Sequence, residues 1–156
     1  RLVVPLSTVL VALVAFLVIF GIYAIATAWT GTLPGLRALW LPVFIALTLL
    51  LALGAGLWLA ALTVRFRDFR IVVPFLLQIG VFATPVGYRT DFLPNWRDLL
   101  ALNPMTGVID AFRWSLLSGG AFQWHSFSLT LGWTAVLIFT GIWYFRRTER
   151  SFVDII

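Results

Sequence analysis

No charged residue occurs from Ala38 to Val64 or from Ile71 to Tyr88, and the six residues between them, Arg65-Phe66-Arg67-Asp68-Phe69-Arg70, carry three arginines and an aspartate. A helix in water needs a polar face opposite its apolar stripe, and neither stretch supplies one. In a bilayer the same layout is natural. Apolar helices cross the hydrocarbon, and the charged island becomes a short loop at the lipid–water boundary. Composition agrees: 62% of residues are hydrophobic and 11% charged, where ordinary soluble domains carry roughly 25% charged residues.

A spanning helix needs about 20 mainly apolar residues. Four segments fit: 3–29, 38–64, the shorter 71–88, and 128–145. The sequence therefore reads as an all-α polytopic membrane protein, one transmembrane domain over residues 1–156 with four transmembrane helices. Orientation follows from arginine placement. The loop 65–70 and the tail 146–156 each carry three arginines, whereas Arg89, Arg97 and Arg113 in segment 89–127 are balanced by Asp91, Asp98 and Asp110. The positive-inside rule makes the side of loop 65–70, Arg1 and the C-terminus cytoplasmic. Residue 1 is arginine and the single methionine is Met105, so an upstream part is expected. Segment 3–29 is too long in its apolar core for a signal peptide.

Prolines and small residues organise the bundle. Pro42 and Pro74 are expected in first turns, where a missing N–H costs little. Pro85, followed by Gly87 and Tyr88, should end or bend the third helix before the bilayer edge. A broken helix end at membrane depth needs protein or water around it, which hints at a pathway. Ala52, Gly56 and Ala60 form a small-xxx-small face, and Gly80 with Thr84 a shorter one, both expected to pack helices within the bundle, with a subunit interface as the alternative. Trp29, Trp40, Tyr88, Trp96, Trp124 and Tyr144 fall at predicted boundaries, as an aromatic belt would.

Segment 89–127 is too long for a plain loop. It divides at Asn95, Asn103-Pro104 and Gly119-Gly120, leaving two apolar pieces, 96–102 and 105–118. They read as a re-entrant or interfacial helical hairpin on the outer side, between the third and fourth spans. In the second piece Val108, Phe112 and Leu116 repeat every four residues, and Asp110 and Arg113 lie three apart, within pairing reach.

The chemistry of an enzyme is missing. There is no Gly-x-x-x-x-Gly-Lys-[Ser/Thr] phosphate loop, no His-Glu-x-x-His, no carboxylate cluster and no cysteine. His125, the single histidine, reads as an interfacial residue. The excess of arginine sits at the ends of apolar runs rather than on one basic face, which argues against nucleic acid. No catalytic, cofactor or metal residue is expected.

Several short motifs, in order, resemble the permease subunits of type-2 ABC exporters, and more narrowly their polysaccharide, O-antigen and teichoic-acid export branch. Leu62-Thr63-Val64-Arg65-Phe66-Arg67-Asp68 is similar to that family's Leu-x-Val-x-Tyr/Phe-Arg-Asp. Pro74-Phe75-x-x-Gln78, Thr84-Pro85-Val86-Gly87-Tyr88, Leu102-Asn103-Pro104-Met105 and Asp110-Ala111-Phe112-Arg113-Trp114 follow in family order, then Phe145-Arg146-Arg147-Thr148-Glu149-Arg150-Ser151-Phe152. The resemblance implies a six-span permease, paired as a homodimer in the bacterial inner (plasma) membrane. A separate ABC ATPase subunit would drive it, holding the ATP and magnesium that this chain does not bind. The cargo would be a polysaccharide or lipid-linked glycan; lipid or drug cargo, and a non-transport scaffold or inactive fragment, are the alternatives. The match begins at the family's third span, so the first two spans and the main coupling loop are expected upstream. By the same resemblance Arg65, Arg67, Asp68 and Arg70 belong to a motor-facing loop, unless they only anchor topology. Pro85, Tyr88, Asn103, Pro104, Asp110, Arg113 and Trp114 would shape an outer gate, unless Asn103 and its neighbours merely cap helices.

Overall fold

The computed structural model describes residues 3–31, 35–66, 68–88, 96–117 and 120–153. Among them the elements are α1 (Val3–Thr30), a 3-10 helix (Leu36–Trp40), α2 (Leu41–Arg65), α3 (Phe69–Ala83), α4 (Arg97–Ala101), α5 (Pro104–Leu116) and α6 (Trp124–Val153). Arg1, Arg67 and the expected break at Asn95 lie outside the described residues.

Three helical stretches are long and apolar enough to cross a membrane: Leu10–Thr30, Leu36–Arg65 and Trp124–Arg147. The third expected span, 71–88, is instead the fifteen-residue α3, which stops at Ala83. The cause is local. Thr84 precedes a proline and takes extended geometry, φ −97° and ψ 130°, because the proline ring disfavours helical backbone in the residue before it. The last helix is longer than expected, continuing beyond Phe145 through Arg146 and Arg147, both strong helix formers at a wet boundary. Pro42 lies in the first turn of α2. Pro74 does not lie in a first turn. The Asp68 carbonyl accepts from Ile71 N at 3.0 Å and Val72 N at 3.3 Å, so α3 starts at Phe69 and Pro74 falls inside it.

The core is the contact between α2 and α6. Phe44 meets Phe127 edge-on with centroids 5.8 Å apart. Further along, a Cβ on Gly54 would lie 3.0 Å from Leu137 Cβ, and one on Gly141 would lie 3.1 Å from the Gly54 carbonyl oxygen. Trp58 Nε1 then donates to Thr140 Oγ1 at 2.9 Å, and its ring stacks on Tyr144 with centroids 4.8 Å apart and planes 12° apart. Residue numbers rise together on both helices, so α2 and α6 run parallel. α5 runs the opposite way. Gly107 lies against Ser126 and Thr130, Val108 packs with Leu47 and Leu51, and Phe112 meets Phe44 at 6.2 Å.

The expected packing face Ala52, Gly56 and Ala60 is not the one used. Ala52 is exposed, and a Cβ on Gly56 would meet nothing within 4 Å. The buried row of α2 is Leu47, Leu51, Gly54, Leu57 and Ala61, because α6 sits on that side. Gly80 likewise has open space. α1 lies against this unit lightly. Phe16 approaches Phe112 at 5.6 Å, Tyr23 Oη donates to the Leu116 carbonyl at 3.1 Å, and of its described side chains only Thr27 is buried. Leu10, Val14, Ile19, Ile22 and Ile25 are exposed, a surface suited to lipid or further helices rather than water.

Gly107→Ala should destabilise the full-length protein by about 1–3 kcal/mol, since the new methyl has no room beside Ser126 and Thr130. Gly56→Ala should be neutral or slightly stabilising through helix propensity. Thermal unfolding in detergent distinguishes the two.

Candidate functional site

A helix that stops leaves its last carbonyls without intrahelical donors. At the end of α3, side chains from the helix itself and from α5 supply the donors. Thr84 Oγ1 donates to the Gly80 carbonyl at 2.6 Å. Asn103 Nδ2 donates to the Ala83 carbonyl at 3.3 Å and to Thr84 Oγ1 at 3.0 Å. Arg113 Nη2 reaches three carbonyls in the turn that follows: Pro85 at 2.7 Å, Val86 at 3.0 Å and Tyr88 at 3.0 Å. Pro85 is fully buried beneath it and Thr84 nearly so. The broken end is thus hydrogen-bonded by protein, with Thr84 and Pro85 buried and Ala83, Val86 and Gly87 exposed.

The local sequence explains each arm of this cap. Asn103 has extended backbone, φ −76° and ψ 117°, and its Oδ1 accepts from Met105 N at 3.0 Å. It is the N-cap of α5, with Pro104 at the first helical position, where both residue types are favoured. One amide therefore starts α5 and closes α3. Arg113 is three residues from Asp110, and their side chains approach to 3.7 Å across one face of α5. Taking a guanidinium out of water is costly unless it is paired and hydrogen-bonded; here Nη2 has three carbonyl acceptors, while the buried Nη1 has the Asp110 carboxylate as a charge partner without a hydrogen bond to it. All three bonds come from the terminal Nη2, and lysine, whose side chain is one atom shorter, would bring its ammonium short of that position.

The cap is tied to the core. Thr130 Oγ1 on α6 donates to the Pro104 carbonyl at 2.8 Å, and Thr106 Oγ1 donates to the Leu100 carbonyl of α4 at 2.6 Å. Both threonines are 0% exposed. Trp114, also expected at the gate, sits apart from the cap. The Arg37 guanidinium lies 5.1 Å over its ring, and Phe122 meets it edge-on at 5.0 Å. It belongs to an aromatic cluster near the start of α6, where Phe122 also contacts Trp124 at 4.7 Å.

The arginine loop lies at the other end of the core. Arg65 Nη1 is 3.4 Å from Tyr144 Oη. Asp68 starts α3 through its backbone, without a side-chain cap, and both Asp68 and Arg70 are exposed. The structure therefore joins Pro85, Tyr88, Asn103, Pro104, Asp110 and Arg113 in one place and keeps Arg65, Asp68 and Arg70 far from them. Sequence reasoning passed over Gly54, Trp58, Gly107, Thr130 and Gly141. The available signal was a glycine or hydroxyl within an otherwise bulky apolar run, which does not say which partner it faces. Among the described residues no group of His, Asp and Glu is arranged to hold a metal ion.

Residues 1–117, three quarters of the chain, match the sequence profile of the ABC-2 type transporter family. The chain belongs to the ABC-2 type transporter family. It is similar along its whole length to two O-antigen export system permease proteins RfbA of Klebsiella pneumoniae, at 23% and 24% identity over 160 aligned positions. A Myxococcus xanthus protein of the same name is 30% identical over 114 positions, covering 71% of this chain and 44% of that protein. The chain spans about three fifths of the length of the Klebsiella relatives.

Arg113→Ala should strip the donors from three carbonyls and leave Asp110 without its cationic neighbour. Unsatisfied buried groups cost about 1–3 kcal/mol each. We expect a loss of roughly 3 kcal/mol or more, only partly restored by Arg113→Lys, in thermal unfolding of the full-length protein.

Proposed function

We propose that this chain is the permease portion of an ATP-driven exporter that moves a polysaccharide or lipid-linked glycan out of the cytoplasm. The observation that carries the reading is membership of the ABC-2 type transporter family, joined to similarity along the whole chain with O-antigen export permeases. A separate ABC ATPase subunit would supply the work and hold ATP and magnesium. Two permeases would pair in the bacterial inner membrane, with the C-terminus cytoplasmic, and the path would open between them.

The geometry supports a fourth crossing by α3. Because α2 and α6 run parallel, the chain leaving α2 at Arg65 must return to the opposite end before α6 begins. Fourteen residues of α6 separate Tyr144, beside Arg65, from Thr130, beside Pro104, about 21 Å of helix rise. The fifteen residues of α3 cover roughly 22 Å. α3 therefore climbs the same depth and stops where Asn103 meets it. In this reading α4 and α5 form a re-entrant hairpin on the outer side, below the membrane surface.

In this arrangement ATP-driven closure of the motor subunits pushes on the cytoplasmic ends, where Arg65, Asp68 and Arg70 lie. α3 is the short lever from that loop to the outer side. Its far end is bonded to α5 through Asn103 and Arg113, so α3 and the outer hairpin move together. Topology alone would be served by arginine; the acidic Asp68 within the loop favours a specific contact with the motor.

The test uses the full-length gene product purified with its ATPase partner. Lipid-linked glycan should stimulate ATP hydrolysis, and Arg67→Ala and Asp68→Ala should each lower that stimulation by roughly fivefold or more while membrane insertion is unchanged. Absence of any glycan stimulation would refute the cargo, and full stimulation in both variants would refute the motor-contact role of the loop.

A further inference from the structure

The face of α6 turned away from α2 ends in an uncovered patch that the export reading does not use. Phe139, Ile142, Trp143 and Arg146 follow one another at intervals of three, one and three residues, so they line one side of the helix. Together with Arg147 they border a shallow concavity of about 640 Å³. Phe139 is 74% exposed and Trp143 60% exposed; Arg146 and Arg147 are exposed as well. The Arg147 guanidinium lies 5.4 Å over the Trp143 ring. Among the described residues neither arginine has an acidic partner, the ion pair there being Arg113 with Asp110.

We propose that Arg146, Arg147 and Trp143 form a binding site for the phosphate headgroup of an anionic membrane lipid, with Phe139 and Ile142 receiving its acyl chains. The charge pattern selects this occupant. The apolar side chains come first along the helix and the two cations follow at its polar end, which is the order of parts in a phospholipid lying beside a spanning helix. A water-soluble protein partner would leave the apolar half of the patch in hydrocarbon. An anionic headgroup gives both exposed guanidinium groups a counter-charge, which a neutral lipid does not. Stacking on Trp143 also prepares Arg147 for the task. A guanidinium laid over an aromatic face retains its in-plane N–H groups for a phosphate, and its side-chain freedom is reduced before the lipid arrives. Cationic side chains at such a surface each add to the attraction for anionic lipid.

Arg37 provides an internal comparison. It too stacks on a tryptophan, Trp114 at 5.1 Å, but at the opposite end of the core and beside α5 instead of on an open apolar face. If basic charge over an indole were sufficient, both ends would bind. The proposal requires the combination found on α6.

The site depends on membrane insertion and not on export, so its failure and that of the export reading are separable. Native mass spectrometry of the full-length gene product, incubated in detergent with phosphatidylglycerol or with phosphatidylcholine, measures lipid retention directly. Phosphatidylglycerol should be retained over phosphatidylcholine, and the double variant Arg146→Gln, Arg147→Gln should lower that preference by roughly tenfold. Arg37→Gln should leave the preference unchanged, and inorganic phosphate should not displace the lipid. Equal retention of the two lipids by the unaltered protein overturns the proposal without any variant, so it remains refutable even where the double variant fails to fold. An unchanged preference in the double variant, an equal loss in Arg37→Gln, or displacement by inorganic phosphate overturns it too.

Discussion

The close approach of α2 and α6 at Gly54 and Gly141 governs the rest of the molecule. With a side chain at either position the backbones would be forced apart, since a Cβ on Gly141 would already lie 3.1 Å from the Gly54 carbonyl oxygen. Between apolar helices in lipid there is little hydrophobic drive to associate, so contact depends on such small residues and on polar links. Trp58 adds a polar link, donating to Thr140, and an aromatic one, stacking on Tyr144. Because the two helices are parallel, everything between them is constrained to bring the chain back to its starting end.

That return is made by α3, α4 and α5, and its weak point is the break at Thr84-Pro85. A helix ended early is tolerable in an apolar environment only if its freed carbonyls are satisfied inside the protein. Arg113 and Asn103 meet that need from α5, and Thr130 fastens α5 to α6 at the Pro104 carbonyl. The hydrogen-bonding requirement of one broken helix thus joins three elements. It also makes the cap a connection between elements: α3 is joined to α5 through carbonyl hydrogen bonds. Packing can slip by a helical turn, whereas a guanidinium shared among three carbonyls holds one register.

Much of this was legible in advance. The apolar runs located α1, α2 and α6; Asn103-Pro104 and the Val108, Phe112, Leu116 repeat located α5; and Pro85 marked the place where helix geometry fails, although Arg113 was read only with Asp110 and the gate, not as the group that compensates the break. The small-residue stripe Ala52, Gly56, Ala60 does not pack α2 against α6 within the chain. Spacing alone presents several small faces on α2, and only the position of α6 selects the one through Gly54. Segment 71–88 was overextended for a related reason: hydropathy does not fall at Thr84, although backbone geometry changes there.

The sequence by itself determined that the chain lives in a membrane, which segments form its long helices, and which end is basic, because these follow from hydrophobic runs and charge counts along one dimension. Only the tertiary structure decided that α2 and α6 lie parallel, that α3 is capped by Arg113 and Asn103 rather than by water, and that Trp143 and Arg147 share an uncovered face. These are relations between residues far apart in the chain. They are set by which side of a helix meets a neighbour, and an apolar sequence, with no polar face to orient it, does not state that.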